Sequence, residues 1–197
     1  MHFLQRTSAR IAILSVWAVA IGWGVRILLL YSNTAGAAAQ APGEWPSGVP
    51  IEAAQARCSL VVFIHPQCPC SRSSLGELAR IIATGRNRVQ TTVFFYLPSS
   101  SAEDWAHTDL WETAAAIPNV RVLADPDAAA AKRFGARTSG QALLYDANHR
   151  LVFSGGITAA RGHSGDNDGR DAIVDQLFGR TPRRRTTPVF GCALYGE

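Results

Sequence analysis

Apolar residues are most densely grouped near the start of the chain. Residues 11–31 read IAILSVWAVAIGWGVRILLLY, and Arg26 is the one charged residue among them. A helix of this length can cross the roughly 30 Å hydrocarbon layer of a bilayer. Arg6 and Arg10 precede it, and basic residues on that flank favour a cytoplasmic N-terminus. We therefore predict that residues 1–31 are a signal-anchor or transmembrane segment that places the remainder outside the cytoplasm; cleavage as a signal peptide is the alternative.

Beyond this segment, strand-like and helix-like patterns alternate. Residues 32–50 are rich in Ala, Gly, Pro and Ser, and we interpret them as a linker. A continuous apolar run at 59–65 predicts a strand buried on both faces, and apolar residues at helical spacing predict a helix over 70–83. The later patterns predict, in order, strand 89–97, helix 102–116, strand 119–125, helix 126–135, a hairpin at 141–156 and helix 169–179. Residues 51–197 are thus predicted to form an α/β domain whose mixed sheet has a parallel core and an antiparallel edge. The apolar cluster PVFGC, residues 188–192, predicts that the C-terminal segment docks on this domain.

Composition limits the classes of partner. The chain carries 19 Lys and Arg against 15 Asp and Glu, a net charge of +4, and its densest basic run is Arg183–Arg185. Nucleic-acid binding needs a basic face interleaved with aromatic residues, and three clustered arginines do not provide one. We therefore predict no nucleic-acid partner. The 4 cysteines all follow the apolar N-terminal segment, and an even number of cysteines in an oxidising compartment favours disulfide chemistry.

The sequence HPQCPCS, residues 65–71, links the first predicted strand to the first predicted helix of the domain. Unpaired N–H groups at a helix start lower the pKa of a nearby thiol, and the thiolate is the form that attacks disulfides or binds metals. We expect Cys68 to protrude there, ionised and reachable. A bond from Cys68 to Cys70 would be strained and therefore oxidising; Cys192 is the alternative partner. Cys58, a strand length of roughly 20 Å away, is predicted to be structural or a surface thiol.

Three other residues are candidates for the same site. His65 ends the strand three residues before Cys68, and it is either a general base or a residue that caps the strand end. Arg161 and His163 belong to RGHSGDN, residues 161–167, which is either a surface turn or a lid over the cysteines. As part of a lid, Arg161 would stabilise a thiolate or an anionic substrate.

These motifs carry a family resemblance. A buried strand, a Cys-Pro turn that opens a helix, and a late hairpin followed by a helix resemble the thioredoxin fold. HPQCPCS, LVFSGGIT at 151–158, RGHSGDN at 161–167 and PVFGCAL at 188–194 together resemble a group of bacterial thioredoxin-like membrane proteins labelled RedB, here with a Cys-Pro-Cys motif. The resemblance implies a single-pass protein of the cytoplasmic membrane whose thioredoxin-like domain faces the periplasm or the cell exterior.

Two positions depart from ordinary thioredoxins. Ser71 stands where the resolving cysteine would be, so Cys70 comes one residue early. The stretch 137–140 reads RTSG and lacks the proline that normally enters the next strand through a cis bond. We expect this stretch to leave a free backbone N–H beside the cysteines and to ease the entry of a ligand or metal.

Three functions remain open. The first is a thiol-disulfide oxidoreductase that needs no cofactor and acts on protein thiols and disulfides or on small thiols, with Cys68 as nucleophile and Cys70 or Cys192 resolving. The second is a metal-binding module in which these three cysteines and His65 or His163 hold Cu or Zn. The third is a non-catalytic scaffold in which a Cys192 disulfide ties the C-terminal segment to the domain.

Overall fold

A computed structural model describes the backbone of residues 2–196, and their side chains except those of residues 2–9 and 103. Met1 and Glu197, the outer ends of the predicted segments, lie outside the described residues. The chain divides into two compact units, the first ending at Thr34 and the second beginning at Ala35.

The first unit is a single helix, α1 (His2–Asn33). Its segment Arg10–Asn33 is long and apolar enough to cross a membrane, and the large apolar side chains of this segment are exposed. A helix with these properties could serve as a membrane anchor or as a signal sequence.

The second unit is built on a five-stranded mixed sheet in the order β3-β2-β1-β4-β5. The strands β1, β2 and β3 are parallel, whereas β4 runs antiparallel to β1 and to β5. The strands are β1 (Cys58–Ile64), β2 (Val89–Leu97), β3 (Val120–Pro126), β4 (Gln141–Tyr145) and β5 (Leu151–Gly156). The helices are α2 (Ser71–Gly85), α3 (Asp109–Ala115), α4 (Ala129–Arg133) and α5 (Asp168–Leu177). This is the topology of the thioredoxin fold, and the predicted fold class is confirmed.

The central strand β1 is covered on both faces, which explains its continuous apolar run. Leu60, Val62 and Ile64 pack into a core with residues of α2, α3 and α5. Val61 and Phe63 point the other way, into a second core that includes residues of α4 and β4. Alternate side chains of a strand point to opposite faces, so a strand with a core on each side needs apolar residues at nearly every position.

Two predicted helices are shorter than expected. The predicted helix 102–116 is divided into a short 3-10 turn, Glu103–Ala106, and α3. The helix predicted at 126–135 begins only at Ala129, because Pro126 still pairs with β2 as the last residue of β3.

Residues 35–50, the predicted linker, run along the second unit. The N–H of Gly36 donates to the carbonyl of Val189 at 2.8 Å. The indole of Trp45 packs edge-on against the ring of Phe134, with centroids 5.1 Å apart. The segment is thus packed against the domain along much of its length.

The C-terminal residues 186–195, which we call the tail, are docked on the same unit. Thr186 forms a parallel bridge with Ser154 in β5, and Ala193 forms an antiparallel bridge with Thr138, just before β4. The tail therefore crosses from the end of the hairpin to the stretch 137–140.

Two glycines at the end of β5 let the tail approach closely. A Cβ atom at Gly155 would overlap the backbone of Thr187, and one at Gly156 would lie 2.6 Å from the carbonyl oxygen of Pro188. Since real Cβ atoms do not come so close, larger residues at either position would push the tail away from the sheet.

Candidate active site around Cys68

Cys68 lies in the turn between β1 and α2. Its N–H donates to the carbonyl of His65 at 3.0 Å, and its own carbonyl accepts the N–H of Ser71 at 3.0 Å. Helix α2 begins at Ser71 with Cys70 in the N-cap position. Cys68 thus lies just outside the helix.

Cys68 is buried, and the expectation of a protruding, reachable thiol is wrong. Only 1% of its surface is exposed. The tail lies over it, since both the N–H and the thiol of Cys192 donate hydrogen bonds to the sulfur of Cys68. This position of the tail is fixed by backbone bonds, from the N–H of Ser139 to the carbonyl of Cys192 at 2.8 Å and from the N–H of Leu194 to the carbonyl of Arg137 at 2.9 Å.

The thiolate of Cys68 is stabilised by hydrogen bonds rather than by exposure. Burial raises the pKa of its thiol, but the donors around the sulfur outweigh burial and hold the pKa below the ordinary value of 9.0. These donors are the N–H of Cys192, the hydroxyl of Ser71, the thiol of Cys192 and the N–H of Cys70. Donors that point at the charged form of a group favour that form.

The two neighbouring thiols shift in the opposite direction. Burial, the hydrogen bond to Cys68 and the charge of Cys68 raise the pKa of Cys192 to about 11. Burial and the same charge raise the pKa of Cys70, while the Arg161 guanidinium lowers it in part. The site therefore favours one thiolate, Cys68, beside two protonated thiols.

A chain of hydroxyl groups supports the thiolate, and it was not among the predicted features of the site. The N–H of His65 donates to Oγ of Ser139 at 2.8 Å, and the hydroxyl oxygens of Ser139 and Ser71 lie 2.8 Å apart. Because Ser71 donates to Cys68, each hydroxyl in this chain has both a donor and an acceptor as its partner. The signal in the sequence was that serine occupies both positions at which the chain departs from ordinary thioredoxins.

The stretch 137–140 does not open the site, contrary to expectation. Among the described residues no peptide bond is cis. Because residue 139 is serine rather than proline, it has a backbone N–H, which donates to the carbonyl of Cys192. This hydrogen bond holds the tail in place.

The loop 161–167 brings Arg161, but not His163, to the cysteines. Nη1 of Arg161 donates to the carbonyl of Gly191 at 2.6 Å, and its guanidinium bonds to the thiol of Cys70. His163 is exposed, and its N–H donates within the loop to the carbonyl of Ala160 at 3.2 Å. Arg161 therefore joins the tail to the start of α2.

The His65 ring lies in an aromatic cluster beside the turn. Its Nδ1 accepts the N–H of Gln67 at 3.2 Å, and its centroid lies 5.7 Å from those of Tyr96 and Trp105. Burial lowers the pKa of His65. These contacts are typical of a residue that caps the end of a strand; the role of general base stays a prediction.

The thiols are all free, and Cys58 is remote from the other three. It begins β1, whose opposite end leads to the site, and burial raises its pKa. Within the described part of the chain, no group of three or more His, Cys, Asp or Glu side chains is arranged to hold a metal ion. Cys68, Cys70 and Cys192 lie together, but His163 of the predicted metal set lies at the surface.

Comparison with known proteins shows similarity of fold. No family model and no curated protein matches the chain. An uncharacterized conserved protein from Geobacillus kaustophilus matches with a TM-score of 0.61 at 18% identity, over 84% of this chain and 93% of that one. A hypothetical protein from Sinorhizobium meliloti 1021 matches with a TM-score of 0.59 at 22% identity, over 82% and 93%. The exposed lipoprotein thioredoxin of Streptococcus pneumoniae strain TIGR4 gives a TM-score of 0.46 at 18% identity, over 64% and 86%. The chain is a thioredoxin-like protein in fold, preceded by an apolar helix that could be a membrane span.

Proposed function

We propose that this protein is a thiol-disulfide oxidoreductase in which Cys68 is the nucleophile and Cys192 the resolving cysteine. One observation carries the proposal: the N–H and the thiol of Cys192 both donate to the sulfur of Cys68. Disulfide exchange requires a thiolate that attacks the substrate disulfide and a second thiol close enough to attack the mixed disulfide that results. Cys68 and the adjacent Cys192 fit these two roles.

In the first step the Cys68 thiolate attacks one sulfur of a substrate disulfide. A mixed disulfide forms, and the second substrate sulfur leaves as a thiolate that takes up a proton. Because the pKa of Cys68 lies below that of an ordinary thiol, the nucleophile remains charged at a lower pH than an ordinary cysteine would.

In the second step Cys192 loses its proton and attacks the sulfur of Cys68. Once Cys68 is bonded to substrate it carries no charge, so two of the causes that raise the pKa of Cys192, its hydrogen bond to Cys68 and the charge of Cys68, are removed. Arg161, which lowers that pKa, remains. The bond between Cys68 and the first substrate sulfur breaks, and that sulfur leaves and takes up a proton. The Cys68–Cys192 disulfide is left, and an external dithiol restores the reduced protein by the reverse steps.

We assign Cys192 rather than Cys70 as the resolving cysteine because the two thiols have different hydrogen-bond partners. After burial, the hydrogen bond to Cys68 is the largest influence on Cys192, whereas Cys70 is bonded to Arg161 as well. A bond between Cys68 and Cys70 would also have to form within one tight turn, where the disulfide geometry is strained.

We further propose that α1 anchors the protein in the cytoplasmic membrane and that the domain faces the periplasm or the cell exterior, where it acts on protein thiols and disulfides or on small thiols. The RedB-like resemblance supports this location. The four segments that carry this resemblance meet at one place in the fold. The turn carrying Cys68, the end of β5, the loop with Arg161 and the tail contact one another through the bonds described above.

The proposal is tested by turnover of full-length protein in detergent, with a disulfide substrate and excess dithiol. We expect Cys68→Ser to reduce the rate to the uncatalysed background, because no other thiol in the site is predominantly ionised. Cys58→Ser is the matched control and should retain the wild-type rate, since Cys58 lies at the far end of β1. Wild-type turnover by Cys68→Ser would contradict the proposal.

The same preparations distinguish the two other functions. Stoichiometric Cu or Zn in anaerobically purified protein, lost in Cys70→Ser, would favour the metal-binding module. No turnover by the wild type, together with a large loss of stability on reduction, would favour the scaffold.

A further inference from the structure

A fully buried carboxylate lies in α2, away from the cysteines themselves. The side chain of Glu77 is 0% exposed, and Glu77 lies in α2 beside the core residues Leu75 and Leu78. A carboxylate is costly to bury unless it is paired and hydrogen-bonded. The partners of Glu77 must therefore account for its presence.

The two carboxylate oxygens bind the loop 161–167 and the helix α5 that follows it. Oε1 of Glu77 accepts the N–H of Gly165 at 2.9 Å, and Oε2 accepts Nη1 of Arg170 at 2.9 Å. The same nitrogen of Arg170 donates to the carbonyl of Gly165 at 3.2 Å. Gly165 is thus held through both its N–H and its carbonyl. Its φ of +135° is a conformation that other residues rarely adopt.

The fixed position of Gly165 limits where Arg161 can reach. Gly162, His163 and Ser164, the three residues between them, are exposed. Because only these three residues separate Arg161 from Gly165, Gly165 anchors the loop on the C-terminal side of Arg161. At the other end, Arg161 bonds to the carbonyl of Gly191 in the tail and to the thiol of Cys70.

We propose that Glu77 is a positioning residue for the cysteine site, which acts by fixing the loop 161–167 so that Arg161 holds the tail over Cys68. Glu77 touches none of the reacting sulfurs. Its influence passes from Gly165 to Arg161 and from Arg161 to the tail. The effect of Glu77 on catalysis rests on the proposed function, whereas its contacts with the loop do not.

The test is alkylation of Cys68 by iodoacetamide as a function of pH, in reduced full-length protein in detergent. In the wild type the reaction should lose half its rate at a pH below 9.0, because the pKa of Cys68 is lowered. In Glu77→Gln the tail loosens and the donors from Cys192 withdraw, so this midpoint should move up toward 9.0. The plateau rate at high pH should rise by roughly 2- to 30-fold, the range expected of residues that act through a network.

Arg80→Gln is the matched control. Arg80 also binds Oε1 of Glu77, at 3.2 Å, but its side chain is 57% exposed. It belongs to α2 and not to the loop, so we expect its midpoint and plateau to equal those of the wild type. If Glu77→Gln does not fold, Glu77→Gln/Arg170→Gln replaces it, since removing both charges of a buried pair is better tolerated than removing one. The same upward shift is expected.

A second arm tests the route of the effect. In an Arg161→Gln background, Glu77→Gln should cause no further shift of the midpoint, because the link to the tail is already broken. Additive shifts would overturn the proposal and make Glu77 a general stabiliser of the fold. Alkylation needs no turnover, so a wild type inactive in disulfide exchange would overturn the proposed function alone. An unchanged midpoint in Glu77→Gln would overturn this proposal alone.

Discussion

Replacing Gly191 by alanine is expected to uncover Cys68. A Cβ atom at Gly191 would overlap the carbonyl oxygen of Ser139, a backbone atom that cannot rotate out of the way. The tail must therefore shift at the residue next to Cys192, which carries both donors to Cys68. Overpacking of this kind costs about 1–3 kcal/mol. Since each 1.4 kcal/mol is about a factor of ten, the population with an open tail should grow by roughly 5- to 150-fold.

The measurement is the alkylation rate of Cys68 at a pH where the thiol is fully ionised. We expect the rate in Gly191→Ala to rise with the open population, and the pH midpoint of the reaction to rise as well because the thiolate loses donors. Gly196→Ala is the matched control. Gly196 directly follows the tail, and its Cβ atom would meet nothing within 4 Å. Equal rates in Gly191→Ala and the wild type would contradict the role of the tail as the cover of Cys68.

Replacing Cys192 by serine is expected to stop the reaction after its first step. Cys68→Ser removes the nucleophile, whereas Cys192→Ser leaves a thiolate that still attacks a disulfide. The mixed disulfide is then resolved only when an external thiol attacks it. Because a well-oriented intramolecular group can act at an effective concentration of 10⁵ M or more, we expect turnover to fall by at least about 100-fold.

Mass spectrometry of the intact protein during turnover checks this result. Cys192→Ser should accumulate a covalent adduct of the substrate thiol on Cys68, and the wild type should not. Cys70→Ser is the discriminating variant. An adduct that accumulates in Cys70→Ser, with undiminished turnover in Cys192→Ser, would contradict the assignment and make Cys70 the resolving cysteine.

The parts of the fold that depend on local patterns were predicted from the sequence. The apolar run before Cys68 predicted a strand with a core on each face, because only such a strand can bury every side chain. The alternation of patterns predicted a parallel core with a hairpin at its edge, since parallel neighbours require a crossover. The position of Cys68 at the turn into α2 followed from the order of these two elements.

The cover over the site could not be predicted, because it depends on contacts between distant parts of the chain. The apolar cluster around Val189 and Phe190 indicated that the tail docks, but no local pattern says where. The missing proline at Ser139 was visible, yet it suggested an open site. In the fold the same N–H faces the carbonyl of Cys192 and closes the site.

The sequence of α2 contains a signal for the partnered burial of Glu77. Ser74 and Ile81, both buried, lie three and four residues from it along α2, so Glu77 shares their buried face. An acid on such a face needs a buried partner. The identity of that partner, the loop before α5, follows only from the packing of α2 against α5.

Peptide mapping of the oxidised full-length protein tests the central claim most directly. Free thiols are first blocked under non-reducing conditions, and the disulfide-linked peptides are then identified by mass spectrometry. We predict a link between the peptides carrying Cys68 and Cys192, with Cys58 and Cys70 blocked as free thiols. A Cys68–Cys70 bond, or a Cys68 that is recovered unlinked after complete oxidation, would contradict the pairing on which the account depends.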